Sequence, residues 1–303
     1  MKREIIKLGT STLVASLPSK WIKKFHLKQG DEINIEEEEN RLVITKGKEH
    51  RIEHFKIDIS TLPPLVNYGL TALYLRGIDE IEVRSENPKL IERLQEHPIP
   101  QFVGWEIVEQ EKTVCKIKDL SGAAADMDFK SLIRRMFLIT KSIAAEMLEA
   151  MENKQTKLSH IRSIDANANK FAFLCQRKLN KTGYTNYRET PVMYYLIVML
   201  EATGDLYRDL AEYITEKKVT FSPKSIEFFK KVNNLFNDYY SVFFGFDLKL
   251  ARDIDRRYRE FRVDIDKYID SIKSTRELRC LIFMSNITDY LSEMLRNQLV
   301  ITL

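Results

Sequence analysis

Cysteine is scarce in this 303-residue sequence. Cys115, Cys175 and Cys280 are odd in number, far apart and without CxxC spacing. That leaves no basis for a disulfide framework or a thiolate zinc site, and the expectation is buried free thiols in a reducing cytoplasm. Glycine (10) and proline (8) are also few. A sandwich or barrel of many short strands needs more turn residues, so helix should dominate. Long apolar runs are missing too. The longest is Val192–Leu200, between Pro191 and Glu201, whereas a membrane span needs about 17–25 residues. The first nine residues hold no apolar stretch of signal-peptide length. The histidines, His26, His50, His54, His97 and His160, show no HxxH or HExxH spacing, and neither GxSxG nor GxxxxGK[ST] occurs. The expectation is a protein that is not an enzyme. Finally, charge of one sign is not in excess. Forty-eight Lys and Arg face 44 Asp and Glu, a net of +4, too little for a uniformly basic nucleic-acid glove.

What is present divides into a strand-rich third and a helical remainder, in line with about two domains for this length. In residues 1–47, Lys2–Leu8 and Thr12–Ser16 read as strands. Pro18 precedes a two-turn helix over Ser19–Phe25, Gly30-Asp31 is a turn, and Glu32–Glu37 and Arg41–Lys46 pair as a hairpin around Glu39-Asn40. Fewer than 50 residues bury too little apolar surface to stand alone, so size implies a homodimer through this segment. The small net charge hides a local split. Residues 1–30 carry Lys2, Arg3, Lys7, Lys20, Lys23, Lys24 and Lys28 against Glu4 alone. Residues 31–40 carry six acids, Asp31, Glu32 and Glu36 to Glu39, and no base. A basic face beside an acidic hairpin can dock a phosphate backbone on one side, or it can be two solvated faces of opposite sign.

Lys7-Leu8-Gly9-Thr10-Ser11, a short strand ending at Leu17-Pro18, the helix Ser19 to Lys24, and Leu27-Lys28-Gln29-Gly30-Asp31 before Ile33 together resemble the SpoVT/AbrB/MazE DNA-binding domain. The resemblance implies a swapped-hairpin, β-rich dimer over residues 1–48. It implies double-stranded DNA contacts by Arg3, Lys7, Lys20, Lys23 and Lys24, or else a dimerisation module alone. Lysine supplies point charge for phosphates but lacks the fork that reads guanine, so backbone binding is the firmer expectation.

Residues 49–122 read as a small α/β connector. Ile52–Ile59 is a strand, and a helix capped by Ser60 or Thr61 runs from Leu62 to Leu75 and stops at Gly77. Ile81–Arg84 is a strand, and Asn87-Pro88 opens a short helix. Val103–Glu109 and Thr113–Lys118 follow as strands. It holds no glycine-rich phosphate loop and no acid/base pair.

Residues 123–303 read as six long helices, Asp126–Asn153, Leu158–Lys181, Pro191–Lys217, Pro223–Gly245, Asp247–Lys273 and Thr275–Val300. Thr190-Pro191 and Ser222-Pro223 are cap-plus-proline starts. The stretch Met199 to Tyr207 can be laid on Phe283 to Leu291, so two three-helix repeats are expected, over about 126–218 and 222–303. The fold class is therefore α+β. In the third helix Glu201 and Asp205 are i,i+4 neighbours, and Asp165 and Asn169 repeat that spacing in the second. Four oxygen-bearing side chains on adjacent helices suit a hard or borderline metal, although such acidic pairs are also common on wet helix faces, and Arg208 lies one turn beyond Asp205.

Leu200-Glu201-Ala202-Thr203-Gly204-Asp205 is similar to the Leu-Glu-x-x-Gly-Asp signature of PhoU proteins, the phosphate-uptake regulators. This resemblance implies two three-helix bundles. It implies a divalent or iron-type metal at Asp165, Asn169, Glu201 and Asp205. In the second repeat Ser285 stands where the first has Glu201, which leaves a weaker set of Asp253, Asp255 and Asp289, with Arg257 and Arg259 opposing a cation. The AbrB-like and PhoU-like parts together resemble the architecture of archaeal phosphate-uptake regulators. The expected function is a cytoplasmic, dimeric, DNA-binding regulator of phosphate uptake, without membrane insertion. The alternative is an adaptor for a phosphate transporter's ATPase or a sensor kinase that does not bind DNA.

Overall fold

The structure is a computed structural model, and it describes residues 2–38, 41–46, 53–121 and 127–303. The expected hairpin tip Glu39-Asn40, the first residue of the expected strand at Ile52 and the expected helix start at Asp126 lie outside the described residues. The chain forms two compact units, Met1–Arg51 and Ile52–Leu303.

In the first unit β1 (Ile5–Leu8) pairs antiparallel with β2 (Thr12–Ala15), with Lys7 opposite Leu13. Gly9, at φ +68°, supplies the left-handed turn between them. Helix α1 (Ser19–Lys24) follows Pro18, and its last turn carries Lys23 and Lys24, where cations suit the negative helix end. The Asp31 carboxylate accepts from the Lys28 amide at 2.8 Å around the left-handed Gly30, which explains the Gly-Asp pair physically. β3 (Asn34–Glu38) and β4 (Arg41–Thr45) form the second antiparallel pair. No side chain among the described residues of this unit is buried.

The second unit begins with a four-stranded sheet in the order β5-β6-β8-β7, formed by β5 (His54–Asp58), β6 (Glu80–Arg84), β7 (Trp105–Gln110) and β8 (Val114–Asp119). β5 and β6 are parallel, linked by α2 (Val66–Arg76); the other pairings are antiparallel. Helix α2 starts four residues later than its sequence suggests. Pro63 and Pro64 lack amide protons, and Pro64 biases its predecessor away from helical backbone. The Ser60 hydroxyl meanwhile accepts from the Glu86 amide instead of capping. The left-handed Gly77 ends α2 as expected. α3 (Pro88–Leu94) is capped by Asn87, which accepts from the Lys89 amide. One face of the sheet packs Ile81, Val83, Trp105, Cys115 and Ile117 into a core with Tyr74 and Phe102.

Six long helices follow: α4 (Phe129–Glu152), α5 (Ile161–Thr182), α6 (Thr190–Lys217), α7 (Pro223–Phe244), α8 (Leu248–Ile269) and α9 (Thr275–Thr302). Each buries a stripe at helical spacing, such as Leu196, Leu200, Tyr207, Leu210 and Ile214 of α6. α4, α5 and α6 pack on one another, as do α7, α8 and α9, and the triplets join through α6 against α9 and α4 against α7. One continuous core runs through all six, with Phe137 ringed by Phe236, Tyr239, Tyr240, Phe243 and Phe244. Ser222 caps α7 as expected. Thr190 instead begins α6 as its first helical residue, and its hydroxyl accepts from the Tyr184 amide. The connector is bound to the helices within this unit. Arg177 of α5, 3% exposed, donates to the Tyr74 carbonyl and to Asp79 and Asp119. No helix among the described residues is long and apolar enough to cross a membrane.

Candidate functional site

Two places gather the residues singled out above. In the first unit Arg3, Lys7, Lys20, Lys23 and Lys24 are all exposed. None of the five pairs with a carboxylate among the described residues, and Lys24 rests its ammonium 5.4 Å from the centre of the Phe25 ring. Lys7 lies on β1, Arg3 just before it, and the other three on α1. The basic groups are thus free to meet phosphates as point charges.

In the second unit α5 and α6 bring Asp165, Glu201 and Asp205 within electrostatic reach of one another, and Asn169 lies one turn along α5 from Asp165. Gly204 allows the helices to approach here: a Cβ on it would stand 3.3 Å from Asp165 Oδ1 and 3.4 Å from Thr140 Oγ1. Asp165 is 1% exposed, so it lies inside the helix interface and not on a wet flank. Its Oδ1 and the Oδ1 of Asn169 are buried atoms without a hydrogen-bond partner. Burial pushes the Asp165 carboxyl up to about 6, and the Asp205 charge adds to this while Arg208 opposes it. Burial likewise pushes Glu201 up to about 7, helped by the charges of Asp205 and Asp165. Asp205 is also raised by burial, against the pull of Arg208.

The residue that organises this cluster is Arg208. Its Nη1 donates to Asp165 Oδ2 at 2.9 Å and also to Asp205 Oδ1. Its Nε and Nη2 both donate to Asp209, at 3.1 and 2.8 Å. Burial weakens the guanidinium's hold on its proton, but Asp209, Asp205 and Asp165 more than offset this. The i+3 spacing from Asp205 marks Arg208 in the sequence; its reach across to α5 is set by packing.

Two orphaned oxygens of the expected ligand set suit an oxygen-seeking cation. The side chains as they stand are arranged about the guanidinium, and among the described residues no three His, Cys, Asp or Glu side chains converge as metal ligands. The weaker set is not brought together. Asp253 pairs with Arg256 and Arg257, and Asp255 with Arg259. Asp289 accepts from Tyr258 at 3.0 Å and from Arg262 at 3.2 Å, while Arg262 also donates to Ser285 at 2.6 Å.

No curated protein and no solved structure matches the chain. Residues 6–51 match the family described as antidote-toxin recognition MazE, bacterial antitoxin. The matched segment spans β1 to β4, with the exposed Lys7, Lys20, Lys23 and Lys24 inside it. The amino-terminal unit therefore carries a MazE/AbrB-type domain, of a kind associated with DNA binding or with antitoxins.

Proposed function

We propose that the protein is a dimeric, DNA-binding transcriptional regulator of phosphate uptake. In this reading the amino-terminal unit holds DNA, and the helical unit senses or relays the signal. The observation that carries it is a domain of MazE/AbrB type in a unit whose five candidate contacts are exposed and, among the described residues, face no carboxylate and whose described apolar side chains include none that is buried. Phosphate enters through the Leu200 to Asp205 signature and the two packed helix triplets. In the same reading the Asp165, Asn169, Glu201 and Asp205 cluster holds a divalent or iron-type metal, supported by the orphaned oxygens of Asp165 and Asn169.

Fluorescence anisotropy with duplex DNA at two salt concentrations tests it. Binding should fall steeply with salt, and Lys23→Ala with Lys24→Ala, which removes four lysines from the dimer, should lower the log–log salt slope by up to about 3.6, roughly 0.9 for each phosphate no longer neutralised. No binding at low salt, or binding indifferent to the double substitution, would sink the reading.

A second reading follows from the matched family's description, which names recognition between an antidote and a toxin. Here the amino-terminal unit dimerises and meets a protein, and the helical unit is an adaptor for a transporter ATPase or sensor kinase. It requires co-purification with a protein partner and no salt-dependent affinity for duplex DNA.

A further inference from the structure

Helices α4 and α7 run past one another in opposite directions: Arg134 meets Tyr240, Ala144 meets Asn233, and Glu152 meets Lys230. The small side chains of Ala144 and Ala145 leave a groove of about 290 Å3 between the two helices. Its apolar lining is Ala144, Ala145 and Leu148 of α4 with Phe236 of α7. Its polar lining is Asn233, Asn234 and Asn237, a row of amides on α7. Lys141 and Lys230 complete it, and no carboxylate lines it among the described residues. Lys141 rests 4.5 Å from the centre of the Tyr240 ring, while Lys230 stands nearly three turns earlier on α7, so the two cations mark opposite ends.

The ends differ in free charge. Lys230 is held by Glu152 at 2.6 Å. Lys141 pairs with no carboxylate among the described residues. The Tyr240 ring beside it accepts a hydrogen bond on its hydroxyl from Arg134 at 2.7 Å, so two cations flank this ring. The amides differ as well. Asn233, 8% exposed, accepts from the Tyr207 hydroxyl and donates to the Ala144 carbonyl, which leaves one proton of its amide nitrogen unused. Asn234 and Asn237 are exposed, and their side chains make no hydrogen bond among the described residues.

Spare positive charge at one end suits a phosphate, which an ammonium binds as a point charge. An amide presents a donor and an acceptor side by side, the pattern that a purine edge answers. Size selects between a bare ion and a larger molecule. At about 30 Å3 for each water, the groove has room for about ten waters, well beyond one phosphate ion. We propose that the groove between α4 and α7 binds a purine nucleoside monophosphate, with its phosphate at the Lys141 end and its base edge on Asn234 and Asn237. The two helices belong to different triplets, so the occupant touches both at once. This inference stands on the groove alone and does not depend on what the amino-terminal unit binds.

The test is isothermal titration calorimetry of the full chain at physiological ionic strength, with AMP, GMP, adenosine and inorganic phosphate as separate titrants. At least one nucleotide should bind once per chain with a dissociation constant below about 1 mM. Adenosine and inorganic phosphate should each bind at least about tenfold more weakly. Lys141→Gln should weaken the nucleotide at least about tenfold, the usual loss for a hydrogen bond to a charged group. Ala145→Leu keeps every charge, suits a helix and fills the groove, so it should abolish binding while urea unfolding stays as in the wild type. Lys249→Gln, at the exposed start of α8, should bind like the wild type. Absence of binding by both nucleotides, or binding indifferent to Lys141→Gln and Ala145→Leu, would overturn the proposal. Inorganic phosphate binding as tightly as the better nucleotide would also overturn it, because the nucleoside would then contribute nothing.

Discussion

Arg177 of α5 and Asp119 at the end of β8 lie 2.7 Å apart, nitrogen to oxygen, and both are nearly withdrawn from water. The same guanidinium holds Asp79 at 3.1 Å and the Tyr74 carbonyl at 2.7 Å, and it lies 4.8 Å from the centre of the Tyr74 ring. One side chain thus ties the sheet and α2 to the helical bundle. Arg177→Met keeps much of the packing volume but leaves Asp119 without a cation among the described residues, while Asp79 keeps only Lys181 at 2.5 Å. It should destabilise the second unit by about 3–5 kcal/mol, the usual cost of breaking a buried pair from one side. Urea unfolding checks this. Asp119→Asn in the same background should recover part of the loss, because the remaining repulsion with Asp79 is relieved.

Gly104 sits just before β7 at φ +89°, a conformation that side chains rarely adopt. A Cβ there would meet Ser121 Cβ at 2.4 Å and Ser121 Cα at 2.9 Å. Backbone on that side cannot rotate away as a flexible side chain would. Gly104→Ala should cost about 1–3 kcal/mol in urea unfolding. Gly69→Ala on α2, whose new Cβ would touch only the Leu62 side chain at 3.5 Å, should be neutral or gain a few tenths, since alanine favours helix.

Much of the fold was legible because its signals are local. Asn87-Pro88 and Ser222-Pro223 mark helix starts by chemistry that needs no tertiary partner, and the caps form as read. Gly77 ends α2 for the same reason. Misreadings arise where a distant group takes the local one. The Thr190 hydroxyl answers the Tyr184 amide, and Ser60 answers Glu86. The candidate cluster was legible as a spacing of oxygens on two helices. Its internal guanidinium was not, because an i+3 neighbour reaches a second helix only when the crossing brings that helix near, and here Gly204 permits it. Arg177 was invisible for the same reason: its partners are 58 and 98 residues away.

The carboxylates of that cluster make stability depend on pH in an uncommon direction. Glu201 is pushed from an ordinary 4.5 to about 7, and Asp165 from 3.8 to about 6, mainly by burial. A folded-state value above the unfolded one favours the protonated fold. The contribution is complete below the unfolded values and is lost as pH rises through about 6 to 7. The second unit should therefore be less stable at pH 8 than at pH 5. Glu201→Gln imitates the protonated form, so it should flatten this slope and gain on the order of 1–3 kcal/mol at pH 8. Urea unfolding at the two pH values decides; a wild-type slope unchanged by the substitution would show that Glu201 is ionised in the fold at no cost.

Leu13 lies on β2 opposite Lys7 and is 67% exposed within a single chain, as are Ile5 at 68% and Leu8 at 63% on the neighbouring strand. Leu42 on β4 is 63% exposed. So much aliphatic surface in a unit with no buried side chain among its described residues is what a second copy would cover. Covering one leucine contributes about 1.5–3 kcal/mol, and in a homodimer every substitution counts twice. Leu13→Asp removes that contribution and adds the cost of burying a carboxylate. It should shift the dimer constant by about two orders of magnitude or more, from about 3 kcal/mol upward. Sedimentation equilibrium should find a concentration-dependent dimer for the wild type and a monomer for Leu13→Asp at the same micromolar concentration. Far-ultraviolet circular dichroism should show the helices of the second unit unchanged, since their core owes nothing to Leu13. If the phosphate backbone is held by both copies together, DNA affinity should fall with the dimer even though every lysine remains, because each half would then bind with its own weak affinity alone.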